Sequence, residues 1–184
     1  LGATEQQLHV LRQKEFVQRA RRSSVEGEIE YAFKHVLVRD VAYGQIPRAE
    51  RAAKHLRAAE WIESLGRPED HAEMVAHHYV NAFELSRASR QDVAELGERT
   101  VRALREAGDR ALALNALEQA ENYLHQARAL APDDAKLLLR YGRVLYLRDE
   151  RGEAELTEAS KRLPPAQAAE AKLLLADIAW KHGR

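Results

Sequence analysis

The chain contains no cysteine. Disulfide staples, thiolate nucleophiles and thiolate metal ligands are therefore excluded, and a reducing compartment is permitted. It also lacks an excess of either charge, with 29 basic and 29 acidic residues. A balanced surface has no whole-molecule field to draw in nucleic acid or anionic lipid. No run of 18 apolar residues occurs, so no membrane span is expected. The opening LGATEQQLHV has no basic segment followed by an apolar one, the pattern of a signal peptide. A cytoplasmic location is expected on these grounds. Neither Gly-x-x-x-x-Gly-Lys-Ser/Thr nor Gly-x-Gly-x-x-Gly is present, so this stretch carries no phosphate loop of its own. No serine, histidine and acid sit in a motif context, and nothing supports an enzyme in its own right.

What is present is helical material. Of 184 residues, 45% are hydrophobic and 32% charged, enough apolar surface for a core and enough charge for long solvated helices. Residues 1–45 differ from the rest. Thr4 to Lys14 suits a short helix with Leu8 and Leu11 inward, and Glu15 to Arg19 a short strand. Arg21 to Ser24 and Gly27 read as a polar turn. Ile29, Tyr31 and Phe33 then alternate with Glu30, Ala32 and Lys34, which is strand periodicity. Helix, strand, turn, strand is the back half of a winged helix, so the chain is expected to be a piece of something longer.

From Val36 onward the spacing predicts helices. Val36 to Tyr43 is a short one, ended by Gly44 and Pro47. Ala49 to Leu65 comes next with Ala52, Leu56, Ala59 and Ile62 on one face. Gly66 marks its stop and Pro68 starts the next helix, with Ala72, Val75, Ala76, Tyr79 and Phe83 inward. Ser86 to Ser89 reads as a linker, and Ser89 with Asp92 as a capping box. These residues, 46–90, form a connecting helical hairpin.

Residues 91–184 carry an internal repeat. Leu104, Gly108 and Ala120 find counterparts 34 residues on in Leu138, Gly142 and Ala154. Leu104, Ala107, Gly108, Ala111, Ala120, Leu124, Ala127 and Pro132 fall at the spacings of a tetratricopeptide repeat, which the segment resembles. The small residues Gly108 and Ala120 belong where two helices cross closely. In the second unit Glu158 and Lys161 stand at positions that should be apolar, so its second helix is expected to be short or shifted, closed by Pro164-Pro165. Ala166 to His182 begins a third unit, whose second helix is expected beyond Gly183-Arg184. The fold class expected is all-α, a right-handed superhelix of stacked helical hairpins, with a small winged-helix remnant in front.

The stretch Phe33-Lys34-His35-Val36-Leu37-Val38-Arg39-Asp40-Val41-Ala42-Tyr43 resembles the segment that closes the winged-helix part of STAND signalling ATPases, the class that includes plant disease-resistance proteins and apoptotic ATPases. Their methionine-histidine-aspartate motif continues as leucine-x-arginine-aspartate-x-alanine. His35, Leu37, Arg39, Asp40 and Ala42 match, while Lys34 replaces the methionine and Val36 the aspartate. Tyr31 to Ile62 is similar to the junction of large bacterial regulators, cyclase- or LuxR-like, that join a P-loop ATPase to a tetratricopeptide array. The resemblance implies that His35 senses the nucleotide state by donating to a phosphate of ADP. The nucleotide and its Mg2+ would sit in an upstream P-loop ATPase domain of the same chain, with no cofactor in this segment itself.

Other constellations carry less. His71, Glu73, His77 and His78 crowd one segment, but His71 and His78 lie two turns apart, about 10 Å by the helical rise, so no metal is assigned. Arg19, Arg21 and Arg22 in the wing could meet phosphates, yet Glu26, Glu28 and Glu30 come directly after them. Nucleic acid is thus disfavoured as a partner, and a membrane is not expected. The concave face of the array is the candidate binding surface: Arg102, Arg105 and Asp109 from the first repeat, Lys136, Arg143 and Tyr146 from the second. Arg and Tyr suit interface anchors, and the set leans basic, so an acidic protein segment or peptide is the expected partner. The function expected is a non-catalytic interaction and sensor segment of a signalling ATPase or transcriptional regulator. The alternative is a winged-helix DNA-binding fragment with an oligomerising array.

Overall fold

The computed structural model describes residues 4–66 and 68–183; residues 1–3, Arg67 and Arg184, which belong to the segments discussed so far, lie outside them. Among the described residues are nine α-helices and one two-stranded antiparallel hairpin, so the protein is predominantly helical. It opens with α1 (Glu5–Gln13), which Thr4 starts by a capping box: the Thr4 hydroxyl accepts from the Gln7 N–H, and the Gln7 side chain accepts from the Thr4 N–H. Strands β1 (Val17–Arg19) and β2 (Tyr31–Phe33) pair with Val17 opposite Phe33. In the turn between them the Glu30 carboxylate accepts from both the N–H and the hydroxyl of Ser24 at 2.7 Å, holding that carboxyl below its usual range. Helix α2 (Val36–Gly44) comes next.

This first region packs thinly. Helices α1 and α2 bury no residue, and the buried apolar residues around the hairpin are Val17 and Val25. The alternation of Ile29, Tyr31 and Phe33 does not yield a buried face: Ile29 is 56% and Phe33 42% exposed. Two three-residue strands with no layer on them cannot bury one.

The core is built by the remaining helices: α3 (Arg48–Ser64), α4 (Pro68–Ala88), α5 (Ala94–Ala113), α6 (Leu117–Leu130), α7 (Ala135–Asp149), α8 (Glu153–Arg162) and α9 (Pro165–Lys181). Each packs on the next in chain order, and α7 also reaches α9. One apolar cluster runs from Ala59 and Ile62 through Tyr79, Leu104 and Leu124 to Leu137 and Val144; two smaller ones join α7, α8 and α9. The inward faces of α3 and α4 carry the expected residues. Ala52, Ala59, Ile62, Ala72, Val75, Ala76 and Tyr79 are buried, with Leu56 half-buried and packed on the cluster, while Phe83 is half-buried outside it. All seven repeat positions from Leu104 to Ala127 are buried.

Two sequence expectations need correction. Residues 86–88 are not a linker but the last turn of α4, with Ser86 buried. The helix runs through Ala88, three residues past the end that a linker starting at Ser86 implies; Arg90 then turns left-handed at φ 57° and the Gln91 N–H returns to the Ser86 carbonyl. Ser89 therefore makes no capping box. Its hydroxyl donates back to Leu85, and Asp92 alone accepts from the Ala94 N–H that opens α5.

The second correction concerns Ala154, which is exposed. The close contact with α7 belongs to Gly152: a Cβ there would lie 2.6 Å from the Gly142 carbonyl oxygen. Leu156 and Ala159, not Glu158 and Lys161, are the buried residues of α8. Gly152, Leu156 and Ala159 stand 32 residues after Ala120, Leu124 and Ala127. The second unit thus keeps its apolar face by slipping two residues out of the 34-residue period, because burial selects whichever residues are apolar and small.

The crossings make a stability prediction. A Cβ on Gly108 would meet the Leu124 Cγ at 2.7 Å, and one on Gly142 the Leu156 Cγ at 2.8 Å. Overpacking of about 1–3 kcal/mol outweighs the gain of about 1 kcal/mol in helix propensity. Gly108→Ala and Gly142→Ala are each expected to lower unfolding free energy by about 1 kcal/mol in urea titrations followed by circular dichroism. Gly44→Ala, with nothing within 4 Å, is expected to cost nothing. Equal stability of all three variants would refute the close-crossing account.

Candidate functional site

A groove of about 540 Å³ is lined only by α5, α7 and α9: Asp109 and Leu112, then Lys136, Leu139, Arg140 and Arg143, then Ala166, Gln167 and Glu170. Three of the six candidate residues, Asp109, Lys136 and Arg143, meet there. The charges inside are largely matched already. The Arg140 Nε donates to both oxygens of Asp109 at 3.1 and 3.2 Å, linking α7 to α5. Arg143 reaches Glu170 at 3.3 Å, linking α7 to α9. Lys136 lines the groove and makes no ion pair among the described residues. The sequence set leaned basic because it contained neither Glu170 nor the pairing of Asp109.

The other three candidates lie elsewhere. Arg102 extends toward Glu63 of α3 at 3.8 Å. It thereby joins a clamp in which the buried Tyr79 hydroxyl donates to Glu63 at 2.7 Å and accepts from Arg99, while Arg99 also binds Glu60 at 2.8 Å. Burial, and then Glu63, push the Tyr79 hydroxyl up to about 12, so it remains a donor throughout the working pH range. Tyr146 donates to Asp177 of α9, and Lys181 stacks 5.1 Å over its ring while reaching Glu150. These bonds hold the Asp177 carboxyl below its usual range, the Tyr146 hydroxyl first. Arg105 is half-exposed on α5 and does not line the groove.

His35 occupies the N-cap position of α2, with extended backbone (φ −124°, ψ 125°) and no side-chain capping bond. It is exposed at the strand-to-helix junction. Lys34, where the resembled motif has methionine, is tied to Glu15 at 2.9 Å, and Arg39 donates twice to its neighbour Asp40. The neighbouring face of α2 is apolar and open: Leu37 is 74% exposed, with Val36 and Val41 also exposed.

The structure also assembles a cluster that the sequence did not reveal. The Nδ1 atoms of His55 on α3 and His78 on α4 lie 2.9 Å apart, and the His55 Nε2 is 2.9 Å from the Tyr43 hydroxyl of α2. The His77 ring is centred 5.4 Å from that of His78 and 6.2 Å from that of His55, and Asn81 stands beside it. The guanidinium of Arg51 stacks 4.8 Å over the Tyr43 ring, and its Nε is buried without a partner. Burial first, then neighbouring positive charge, hold both His55 and His78 below the ordinary imidazole value of 6.5, His78 at about 4. The available signal was position: each histidine immediately precedes an inward residue, Leu56 or Tyr79, on the two helices of one hairpin. Reading α4 alone paired His78 with His71, while its real neighbour is 23 residues away. Among the described residues no group of three His, Cys, Asp or Glu side chains is arranged to hold a metal ion, and no helix is long and apolar enough to cross a membrane.

A base held below its unfolded value makes the unfolded chain the better proton acceptor, so stability is lost as pH falls. Here the loss begins near 6.5 and continues toward 4. The thermal midpoint in chelator-containing buffer is expected to decline already between pH 6.5 and 5, above most carboxylates. The double variant His55→Gln/His78→Gln is expected to flatten that part of the profile. An undiminished slope in the variant would assign the effect to other groups.

Comparison of the chain with protein-family models, with curated proteins and with solved structures finds no match.

Proposed function

We propose that this chain is a non-catalytic interaction and regulatory segment of a larger signalling ATPase or transcriptional regulator. Its helical pairs form a tetratricopeptide-like right-handed superhelix, and the groove on α5, α7 and α9 takes an acidic protein segment. The groove's repetition carries the reading. Every second helix lines it, and its walls include two pairs spaced by 34 residues, Asp109 with Arg143 and Lys136 with Glu170. A surface built from equivalent positions of successive hairpins is how stacked repeats present a ligand face. Leu112 and Leu139 supply an apolar floor, and Lys136 a free cation. A ligand carboxylate gains most by pairing with Lys136, or by displacing Glu170 from Arg143.

The N-terminal part would report on an upstream nucleotide. His35 is accessible and its side chain makes no capping bond. It is free to donate to a phosphate oxygen of ADP held, with Mg2+, by a P-loop domain of the same chain. Docking of that domain would cover Leu37 and Val41. Peptide occupancy in the array and nucleotide state upstream would then be two linked equilibria.

Fluorescence anisotropy with a labelled short acidic peptide tests the groove. Binding is expected for the acidic peptide and not for its Lys-substituted counterpart. The variant Lys136→Glu/Arg143→Glu is expected to weaken it at least about tenfold, about 1.4 kcal/mol. Undiminished binding by the variant would overturn the groove assignment. Binding of a short DNA duplex with steep salt dependence, and of no peptide, would favour the winged-helix reading instead. In a chain that includes the ATPase domain, His35→Ala is expected to shorten ADP retention, and unchanged retention would sink nucleotide sensing by His35.

A further inference from the structure

We propose that His55 and His78 form a two-imidazole site for a borderline divalent cation of the Zn2+ or Cu2+ type, bridging α3 and α4, with water in the remaining coordination positions. Their Nδ1 atoms already lie 2.9 Å apart. Two nitrogens each at about 2.0–2.1 Å from a metal and at right angles about it are separated by about 2.9 Å, and in a tetrahedral site by about 3.4 Å. The separation is thus already that of a chelating pair; with the ring centroids 5.2 Å apart the two Nδ1 atoms point at one another, so each ring turns by roughly 35–45° to aim its lone pair at a shared ion. Both rings sit on long helices of the packed hairpin, so the geometry is held by the fold and not by a loop.

The surroundings suit a ligand pair. Histidines that bind metals usually engage their second ring nitrogen in a hydrogen bond, which fixes the tautomer. The Tyr43 hydroxyl provides that bond to the His55 Nε2 at 2.9 Å. Both rings are neutral at pH 7, so no proton has to be expelled from an imidazolium. The single Nδ1–H shared between them moves to Nε2 of the ring that carries it, which frees the second lone pair without net proton release. If that ring is His55, its new Nε2–H donates to the Tyr43 oxygen. Soft thiolates are absent and the first ligands are imidazoles, a set that favours Cu2+ over Zn2+ and disfavours Mg2+ and Ca2+. Arg51 places a positive charge beside the site, which makes it an exchangeable site and not one the fold requires. Because Tyr43 belongs to α2, an occupied site would also fasten the end of the His35-bearing helix to the hairpin.

Isothermal titration of the chain with ZnCl2 reads the site directly. One ion per chain is expected, with affinity lowered at least tenfold by His55→Gln and by His78→Gln. His125→Gln, on the exposed face of α6, should leave it within twofold. Equal affinity in all variants would overturn the proposal. Should the His55 or His78 variant fail to fold, imidazole 15N NMR of the unaltered chain decides the matter. Zn2+ is expected to shift the ring resonances of His55 and His78 together, and shifts confined to other histidines would refute the site.

Discussion

Everything beyond residue 90 depends on one steric relation, a glycine on the first helix of a pair meeting a leucine on the second. Gly108 against Leu124 and Gly142 against Leu156 leave no room for a single methyl group. With the backbones that close, the flanking alanines and leucines interdigitate at crystal-like density. Where the second unit loses two residues of register, Gly142 and Leu156 still satisfy the relation, and Gly152 brings the start of α8 against the Gly142 backbone. The packing requirement is thus stronger than the period that reports it.

Charge works at the next level. Arginine–carboxylate pairs stitch helices two apart in the chain, Arg99 to Glu60, Arg140 to Asp109, Arg128 to Glu155 and Arg143 to Glu170, and Arg148 to Glu121 joins α7 to α6. Half-exposed pairs of this kind contribute only about 0–1 kcal/mol each. Their larger consequence is for the charge left in the groove. Many of the acids and bases are matched within the fold, so the groove holds less free positive charge than its arginines suggest, and Lys136 becomes its most available cation.

The N-terminal region is built differently. Its helices bury nothing, and the motif around His35 stands on the least-packed part of the protein. At the far end Leu173 and Trp180 of α9 are exposed as well. Both ends leave apolar surface open, while the middle is closed by helix-on-helix contact. Covering either apolar face would add burial without breaking existing contacts.

Much of this was legible in order along the chain. Glycine at 66, proline at 68 and 165, and the inward alanines and leucines of α3 to α7 mark helix limits and faces because those signals are local. The 34-residue spacing likewise located the helix crossings at Gly108 and Gly142. Local signals failed where a contact from another element decided the outcome. Ser86 stayed helical because its turn packs inward. Ala154 gave up its place to Gly152 because α7 selects the smaller residue. Asp109 lies in the groove with its charge already matched, because Arg140 reaches it from α7. The histidine cluster joins residues 23 apart on different helices, and no window along one helix contains it. Sequence alone determined where most helices run and which faces of α3 to α7 are apolar, since these come from side-chain type at fixed spacing. Only the tertiary structure decided which charges are paired, which imidazoles meet and which faces remain open, since those depend on the distances between helices.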